Sequence, residues 1–436
     1  MDILIQVGQL LLSLSILVIF HEMGHFAFAK LFKTRVEKFY LFFNPWFSLI
    51  KKKWGETEYG IGWLPLGGYV KISGMIDESM DKEQMKQPPQ PWEFRTKPAW
   101  QRLLIMVGGV LVNFILAFLI YVMILTIWGR DYLPTSNLKY GIMVDSLGKE
   151  IGLRNGDKII SVCNREVEDF SRVIPELLLN DPKSIQVKRN EQIVDLPITR
   201  QQENAIVKNS KQFISIRTHF VIGGFEKGSS AEKSGLKEND RIIGLNDSSI
   251  TYFDEFAAQI KQYKGQDVKI KVLRNSEEST FVVKVSDKGI AGIYNALDLE
   301  KEFGLKTLNY SFFEAIPAGI TIGYQTISDQ VKQLKLIPRH ADQLGGFITI
   351  GKIFSKQWDW ERFWNLTAML SVMLAVLNLL PIPALDGGHV LFLLVEIVTR
   401  RKPSEKFLEY AQIVGLVILF SLLIYVNGND IFRLFK

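Results

Sequence analysis

Long apolar stretches are the feature of this sequence that most restricts its fold. Residues 103–128 carry no charged side chain, and this length is enough to cross a bilayer. Residues 3–20 and 363–383 are also uncharged, and residues 407–426 carry only Glu409. Because a chain in lipid must satisfy its own backbone hydrogen bonds, such stretches predict helices. The 436-residue chain is therefore predicted to cross a membrane four times.

Basic residues in the short loops predict the orientation of these helices. Lys51, Lys52 and Lys53 lie between the first and second stretches, and Arg400 and Arg401 lie between the third and fourth. Loops rich in Lys and Arg stay in the cytoplasm, so both termini and the long middle section are expected outside. This distribution explains most of the formal net charge of +6 and gives no reason to expect a nucleic-acid partner. A single cysteine excludes an intrachain disulfide.

The first apolar stretch ends in the sequence His21-Glu22-Met23-Gly24-His25. On a helix, His21 and His25 are four residues apart and project from the same face. Two imidazoles at this spacing can bind one Zn²⁺, and Glu22 can act as a base towards a metal-bound water. A solvated or capped helix end is the alternative for an isolated match. Ionisable groups at the end of a membrane-length helix favour the functional interpretation.

The segment that follows, residues 36–75, is too apolar for a simple solvated loop. Short aromatic and β-branched runs alternate with Asn44-Pro45, Pro65 and Gly67-Gly68, which predicts β-hairpins. Non-helical backbone at membrane depth must be shielded by protein or line a cavity. We therefore expect a re-entrant β element beside the histidines, with a cytoplasmic hairpin as the alternative. In the next apolar stretch, Asn113 needs a polar partner in lipid, which either helix packing or a role near the histidines would supply.

The middle of the chain contains an internal repeat. Residues 150–164 (EIGLRNGDKIISVCN) match residues 233–247 (KSGLKENDRIIGLND) at a constant offset. The repeat is longer than solenoid units, so two similar domains in tandem are expected. The pattern resembles PDZ domains, which bind an extended peptide at a sheet edge. Peptide capture and a role as a spacer or size filter remain equally open. Further on, residues 311–353 are amphipathic, which predicts a helix on the outer membrane surface or one packed on the second repeat.

A second polar motif closes the third apolar stretch, at residues 378–389 (NLLPIPALDGGH). The first and third stretches run in the same direction, so Asp386 is expected near His21 and His25 at the cytoplasmic end. Two histidines and one carboxylate leave a fourth position open, as catalytic zinc requires. His389 is expected to support the site and not to bind the metal.

These motifs together resemble the site-2 protease family of intramembrane zinc metalloproteases. The resemblance rests on HEMGH, on residues 378–387, and on PLGGYV, KPAWQR and GGVLVNF in the first third of the chain. It implies the zinc ligands His21, His25 and Asp386, with Glu22 as catalytic base. The substrate-binding residues that it implies are Asn378, Pro381, Pro383, Gly67, Gly68 and Tyr69, and the re-entrant β element would bind substrate as an added strand.

The resemblance also implies a substrate and a location. The substrates would be single-pass membrane segments already trimmed outside the cytoplasm, such as anti-sigma factors, and also remnant signal peptides. The enzyme would be a multi-pass protein of the bacterial inner (plasma) membrane, with its active site near the cytoplasmic side. The PDZ-like pair, on the periplasmic side, would exclude bulky uncut ectodomains.

The expected fold is a polytopic α-helical membrane protein with four transmembrane helices and a re-entrant β element. Two tandem PDZ-like α+β/β domains are inserted between helices 2 and 3. The expected boundaries are 1–130 for the first membrane half, 131–204 and 205–295 for the PDZ-like domains, 296–362 for the amphipathic membrane-surface region, and 363–436 for the second membrane half.

Two other functions fit part of the sequence. One is a catalytically inactive membrane scaffold that binds partners through its PDZ-like domains, although a scaffold has no use for a buried base between two metal ligands. The other is a metal-dependent lipid hydrolase, although peptide-binding-like domains favour a peptide substrate. Zinc is preferred for the metal, but other divalent ions fit two histidines and one aspartate.

Overall fold

The computed structural model describes residues 2–65, 67–75, 87–208 and 213–435. The chain forms two compact units. One combines residues 1–129 with residues 309–436, and the other comprises residues 130–308. The first unit therefore contains both predicted membrane halves and both polar motifs, and the second contains the internal repeat.

The first unit begins with a long helix and a small sheet. Helix α1 (Asp2–Leu31) continues through the HEMGH sequence, so both histidines are helical. Four strands follow: β1 (Val36–Leu41), β2 (Ile50–Trp54), β3 (Thr57–Ile61) and β4 (Tyr69–Ile72). Their order is β2-β3-β1-β4. The β2–β3 pair is a hairpin as expected, but β1 and β3 run parallel, which the sequence analysis did not predict.

Helix α2 (Ala99–Ile127) packs against α1. The two helices meet at Gly24 and Gly108, where a methyl group added to Gly24 would lie 2.6 Å from the carbonyl carbon of Gly108. Small residues at a crossing allow helix backbones to approach closely in lipid. This crossing brings the histidine turn of α1 against the middle of α2.

The second unit contains two similar halves. The elements of the first half are β5 (Arg130–Tyr132), β6 (Ile142–Val144), α3 (Ser146–Ile151), β7 (Lys158–Val162), β8 (Arg165–Glu166), α4 (Val173–Leu179), β9 (Ser184–Arg189), β10 (Gln192–Pro197), α5 (Arg200–Lys208) and β11 (Ile214–Ile216). Those of the second half and its exit are β12 (Ile222–Phe225), α6 (Ser230–Lys233), β13 (Arg241–Leu245), β14 (Ser248–Ser249), α7 (Phe253–Gln259), β15 (Asp267–Arg274), β16 (Glu277–Lys284), β17 (Ile293–Asn295), α8 (Leu299–Phe303) and β18 (Lys306–Leu308).

The two halves share a sheet order and a buried ion pair. The four-stranded sheets are β10-β9-β7-β8 and β16-β15-β13-β14, which are equivalent. Asp157 and Asp240 occupy matching positions, and both are 1% exposed. Asp157 accepts two hydrogen bonds from Arg189 of β9, and Asp240 accepts two from Arg274 of the equivalent strand β15. The duplicated sequence therefore folds as two copies of one unit, whereas its PDZ assignment stays a prediction.

The core of the first repeat extends further along the chain than the expected boundary at residue 204. Ile206, Phe213 and Ile214 belong to this core, and the second core begins at Phe220. Phe303, from the segment after the second repeat, also packs into the first core. The expected amphipathic region at 296–362 therefore begins too early, because residues up to 308 belong to the second unit.

Five helices complete the first unit: α9 (Phe312–Leu334), α10 (Phe347–Ile353), α11 (Trp360–Asn378), α12 (Asp386–Thr399) and α13 (Glu405–Leu434). Helix α9 packs along α2. The ring of Phe118 lies against Gly323, Val122 lies against Gly319, and Tyr121 shares a 3.2 Å hydrogen bond with Thr326.

Three helices among the described residues are long and apolar enough to cross a membrane: α1, α2 and residues 406–434 of α13. Helix α11, the expected third span, has 19 residues and does not meet this criterion. It ends at Asn378, three residues before Pro381, so the predicted span at 363–383 is interrupted. The fourth membrane crossing stays a prediction.

Candidate metal centre and active site

Three side chains from two helices converge in the first unit. The Nε2 atoms of His21 and His25 are 3.3 Å apart, and each is 3.3 Å from Oδ2 of Asp386. Both histidines lie on α1, whereas Asp386 is the first residue of α12. The histidines are buried, at 8% and 7% exposure. The structure thus brings together the three residues expected to bind the metal.

The spacing of these donor atoms matches a zinc site. Zinc binds imidazole nitrogen and carboxylate oxygen at about 2.0–2.1 Å, so the edge of a tetrahedral zinc site is about 3.3–3.4 Å. The three observed distances form a triangle with edges of that length. Oδ2 of Asp386 is buried without a hydrogen-bond partner among the described residues. Because an orphaned carboxylate oxygen is costly in an apolar interior, the donor set fits a cation at this position.

Helix α2 orients both imidazoles. Nδ1 of His25 donates to the carbonyl oxygen of Ile105 at 2.9 Å, which leaves its Nε2 lone pair free for a metal. Nδ1 of His21 lies 3.4 Å from the side-chain amide of Asn113. When the amide oxygen faces the ring, it accepts the Nδ1 proton, and Oδ1 of Asn113, otherwise buried without a partner, is satisfied.

Gly109 lies between these two contacts. Ile105, Gly109 and Asn113 are spaced four residues apart, so they form one stripe of α2. A methyl group on Gly109 would lie 2.6 Å from Cε1 and 2.8 Å from Nδ1 of His21, and it would also overlap Nε2 of His25. From the sequence, the role of Asn113 stays open, and Gly109 is only one of the small residues of the GGVLVNF motif that allow close helix approach. The four-residue spacing of Ile105, Gly109 and Asn113 is the sequence feature that places all three on the side of α2 facing the histidines.

A cavity of about 590 Å³ opens beside the three donor atoms. Glu22, Asn378 and His389 line it, together with Gly67, Gly68 and Tyr69 of the β element. Gly68 approaches α1 closely, because a methyl group there would lie 2.6 Å from Cγ1 of Val18 and 3.4 Å from Cγ of Glu22. Edge strand β4, which begins at Tyr69, therefore runs along the wall that carries the expected base.

The other residues expected at the site do not all border the cavity. Nδ2 of Asn378 lies 3.2 Å from Nε2 of His21, at the edge of the donor triangle. Pro381 and Pro383 are not among the described residues that line the cavity. Pro383 instead packs under Gly388 and against α13. The structure therefore favours a role for Pro383 in positioning the loop before Asp386 over direct contact with a substrate. His389 lies outside the three-residue donor group found in the described chain.

Comparison with known proteins adds family evidence to this geometry. The model of the family described as Peptidase family M50 matches residues 9–422. A Rickettsia conorii protein, named as a candidate zinc metalloprotease, is 29% identical over 98% of both chains. The regulator of sigma E protease of Haemophilus influenzae and the protease RseP of Yersinia pestis are each 27% identical over the full length of both chains.

Proposed function

Because this chain belongs to peptidase family M50, the site-2 type of zinc metalloprotease, we propose that it cleaves peptide bonds within membrane-spanning segments. The family match confirms the resemblance seen in the sequence. The observation that carries the proposal is the buried triangle of His21, His25 and Asp386, with Glu22 in the adjoining cavity. Zinc agrees both with the donor set and with the name of the Rickettsia relative.

We assign each residue a role from its position. His21, His25 and Asp386 would hold the metal, which when bound would supply Lewis-acid chemistry by acidifying a water and polarising a carbonyl group. Glu22 takes a proton from the attacking water and returns it to the nitrogen of the leaving amine. Nδ2 of Asn378, beside His21, donates to the oxygen of the scissile carbonyl as negative charge develops there.

The substrate has to be unwound before it is cleaved, because helical amides are engaged in their own hydrogen bonds. We propose that an extended stretch of substrate pairs with β4. This strand is at the edge of its sheet, and it borders the cavity that holds Glu22. Main-chain pairing at an edge gives affinity without demanding a particular sequence. Single-pass segments, such as trimmed anti-sigma factors and remnant signal peptides, are the substrates this arrangement suits.

We further propose an inner-membrane location with a fourth crossing by α11, which places the active site near the cytoplasmic side. The duplicated domains would then lie in the periplasm and exclude bulky ectodomains. The support for this orientation is the clustering of basic residues in the two short loops.

Cleavage of a trimmed single-span reporter by the purified chain in membranes tests the proposed activity. Wild type should cut the reporter, whereas Glu22→Gln should bind one zinc per chain and cut at least about 100-fold more slowly. Asp386→Asn should lose both zinc and cleavage. If Glu22→Gln cuts as fast as wild type, Glu22 is not the base. A wild-type protein that neither binds zinc nor cuts would indicate a scaffold.

A further inference from the structure

Helix α13 is the least buried of the three membrane-length helices. Only 11% of the residues in its apolar window are buried. Two polar side chains on this helix are nevertheless almost fully enclosed: Gln412, at 4% exposure, and Asp430, at 3%. An enclosed polar group on a lipid-facing helix needs a partner or a function.

The two enclosed groups differ in their partners. Asp430 accepts hydrogen bonds from Thr349, including a 2.9 Å bond from its backbone N–H, so its burial is structural. The side-chain amide of Gln412 has no hydrogen bond to any described residue, and it lines the same cavity as Glu22 and Asp386. Gln412 is thus an almost fully enclosed residue that borders the cavity and has no hydrogen-bond partner for its amide among the described residues.

The packing of α13 fixes this amide in place. Gly415 lies one turn after Gln412, on the same side of the helix. It packs against Pro383 so tightly that an added methyl group would overlap the backbone there, and that group would lie 3.0 Å from the backbone nitrogen of Ala384. The helix is therefore held directly on the loop that leads to Asp386. The backbone of Gln412 therefore cannot move away from the cavity without breaking this contact.

We propose that Gln412 binds the substrate, by hydrogen-bonding the backbone of the unwound membrane segment near the scissile bond. The inference rests on the proposed peptidase function and extends it to a residue outside both metal motifs. An unwound peptide in an apolar environment exposes N–H and C=O groups that need partners. A glutamine amide offers both a donor and an acceptor, and it pairs with any peptide bond regardless of side chain.

The test compares the full-length variants Gln412→Met and Gln412→Asn with wild type, using the trimmed reporter. Methionine keeps the length and flexibility of glutamine but cannot form these hydrogen bonds. Hydrogen bonds within membrane proteins predict a rise in KM of about three- to twenty-fold for Gln412→Met, with kcat little changed. Ser421→Ala is the matched control, because Ser421 bonds only within α13, to the carbonyl oxygen of Val417, and is exposed.

Three further measurements distinguish substrate binding by Gln412 from a role in metal binding or in folding. Zinc content should stay at one per chain, and the melting temperature of Gln412→Met should be equal to or above that of wild type. In a Glu22→Gln background, which needs no turnover, Gln412→Met should raise the Kd for the reporter by the same factor as KM. A loss of zinc would instead place Gln412 in the support of the metal centre and overturn the proposal.

Unchanged KM and Kd in Gln412→Met would also overturn it, whether or not the melting temperature falls. Gln412→Asn guards against misfolding, because it keeps the amide on a shorter side chain and should give an intermediate effect. The proposed peptidase function is judged separately, by wild-type cleavage and its loss in Glu22→Gln, so the failure of one proposal is distinguishable from the failure of the other.

Discussion

Substitution of Gly109 by alanine is expected to disable the metal centre without changing any residue that binds metal. The added methyl group would lie 2.6 Å from Cε1 of His21, whereas ordinary contacts begin at 3.4 Å, so the ring would have to move by about 0.8 Å. Metal–ligand distances tolerate deviations of about 0.2 Å. The displacement is therefore about four times what the site can absorb.

Neither the two imidazoles nor helix α2 can move easily to make room for the added methyl group. The imidazole of His25 is held by its hydrogen bond to Ile105, and the imidazole of His21 lies against the amides of Asn113 and Asn378. Separation of α1 from α2 would break the adjacent Gly24–Gly108 contact. Overpacking of this kind costs about 1–3 kcal/mol. If this energy is taken from the metal site, zinc affinity falls by about 5- to 150-fold.

The assay is zinc affinity by competition with a chromogenic chelator, together with cleavage of the trimmed reporter. Gly8→Ala is the matched control, because Gly8 is also a glycine of a membrane-length helix but has no atom within 4 Å of an added methyl group. It should bind zinc and cleave like wild type. Wild-type zinc affinity in Gly109→Ala would refute the reasoning, because it would mean that α2 does not constrain the two rings.

Three further substitutions test other parts of the molecule. Arg102→Met leaves the largely enclosed carboxylate of Glu396 without its partner, so thermal unfolding in detergent should show a loss of about 3 kcal/mol, the lower end of the range for buried pairs. Arg102→Met/Glu396→Met should largely restore this stability, and a double variant no better than the single one would contradict the reasoning. Burial raises the pKa of Asp240, but the hydrogen bonds from Arg274 and from the backbone N–H of Lys237, together with the positive charges of both residues, lower it by more in total, so its pKa is below its ordinary value. The ion pair then stabilises the second repeat above about pH 4 and is lost as the pH falls further, and Asp240→Asn should remove that part of the pH dependence of hydrogen exchange in residues 220–293. Asp254 joins the two repeats, so Asp254→Ala should raise cleavage of an untrimmed reporter relative to a trimmed one, and an unchanged ratio would count against a size filter.

The sequence predicts those features that depend on local spacing. The four-residue interval between His21 and His25 places both on one helix face, and the direction of the apolar stretches predicts that Asp386 meets them. The repeat offset similarly predicts that Asp157 and Asp240 are equivalent, as the two ion pairs show. Each of these predictions needs only the residue spacing within one segment or a comparison of two segments of the sequence.

Features that depend on the choice of packing partner were not predicted. Helix α9 is amphipathic whether it lies on a membrane surface or against another helix, and its packing against α2 is seen only in contacts such as that of Gly319 with Val122. Similarly, the sequence analysis predicts Ile206 at the start of the second PDZ-like domain, but in the structure its side chain packs in the core of the first. Periodicity indicates which face of a helix is apolar, but it does not identify the surface which that face covers.

The same limit explains why the contribution of α2 to the metal centre is hard to see in the sequence. This helix supplies no metal ligand, yet its stripe of Ile105, Gly109 and Asn113 contacts both imidazoles. Ile105 acts through a carbonyl group that every residue has, and Gly109 acts through the absence of a side chain. Only Asn113 is chemically distinctive. The orientation of the two imidazoles is therefore set largely by a neighbouring helix, and a search for side chains that could bind a metal does not find the residues that hold them in place.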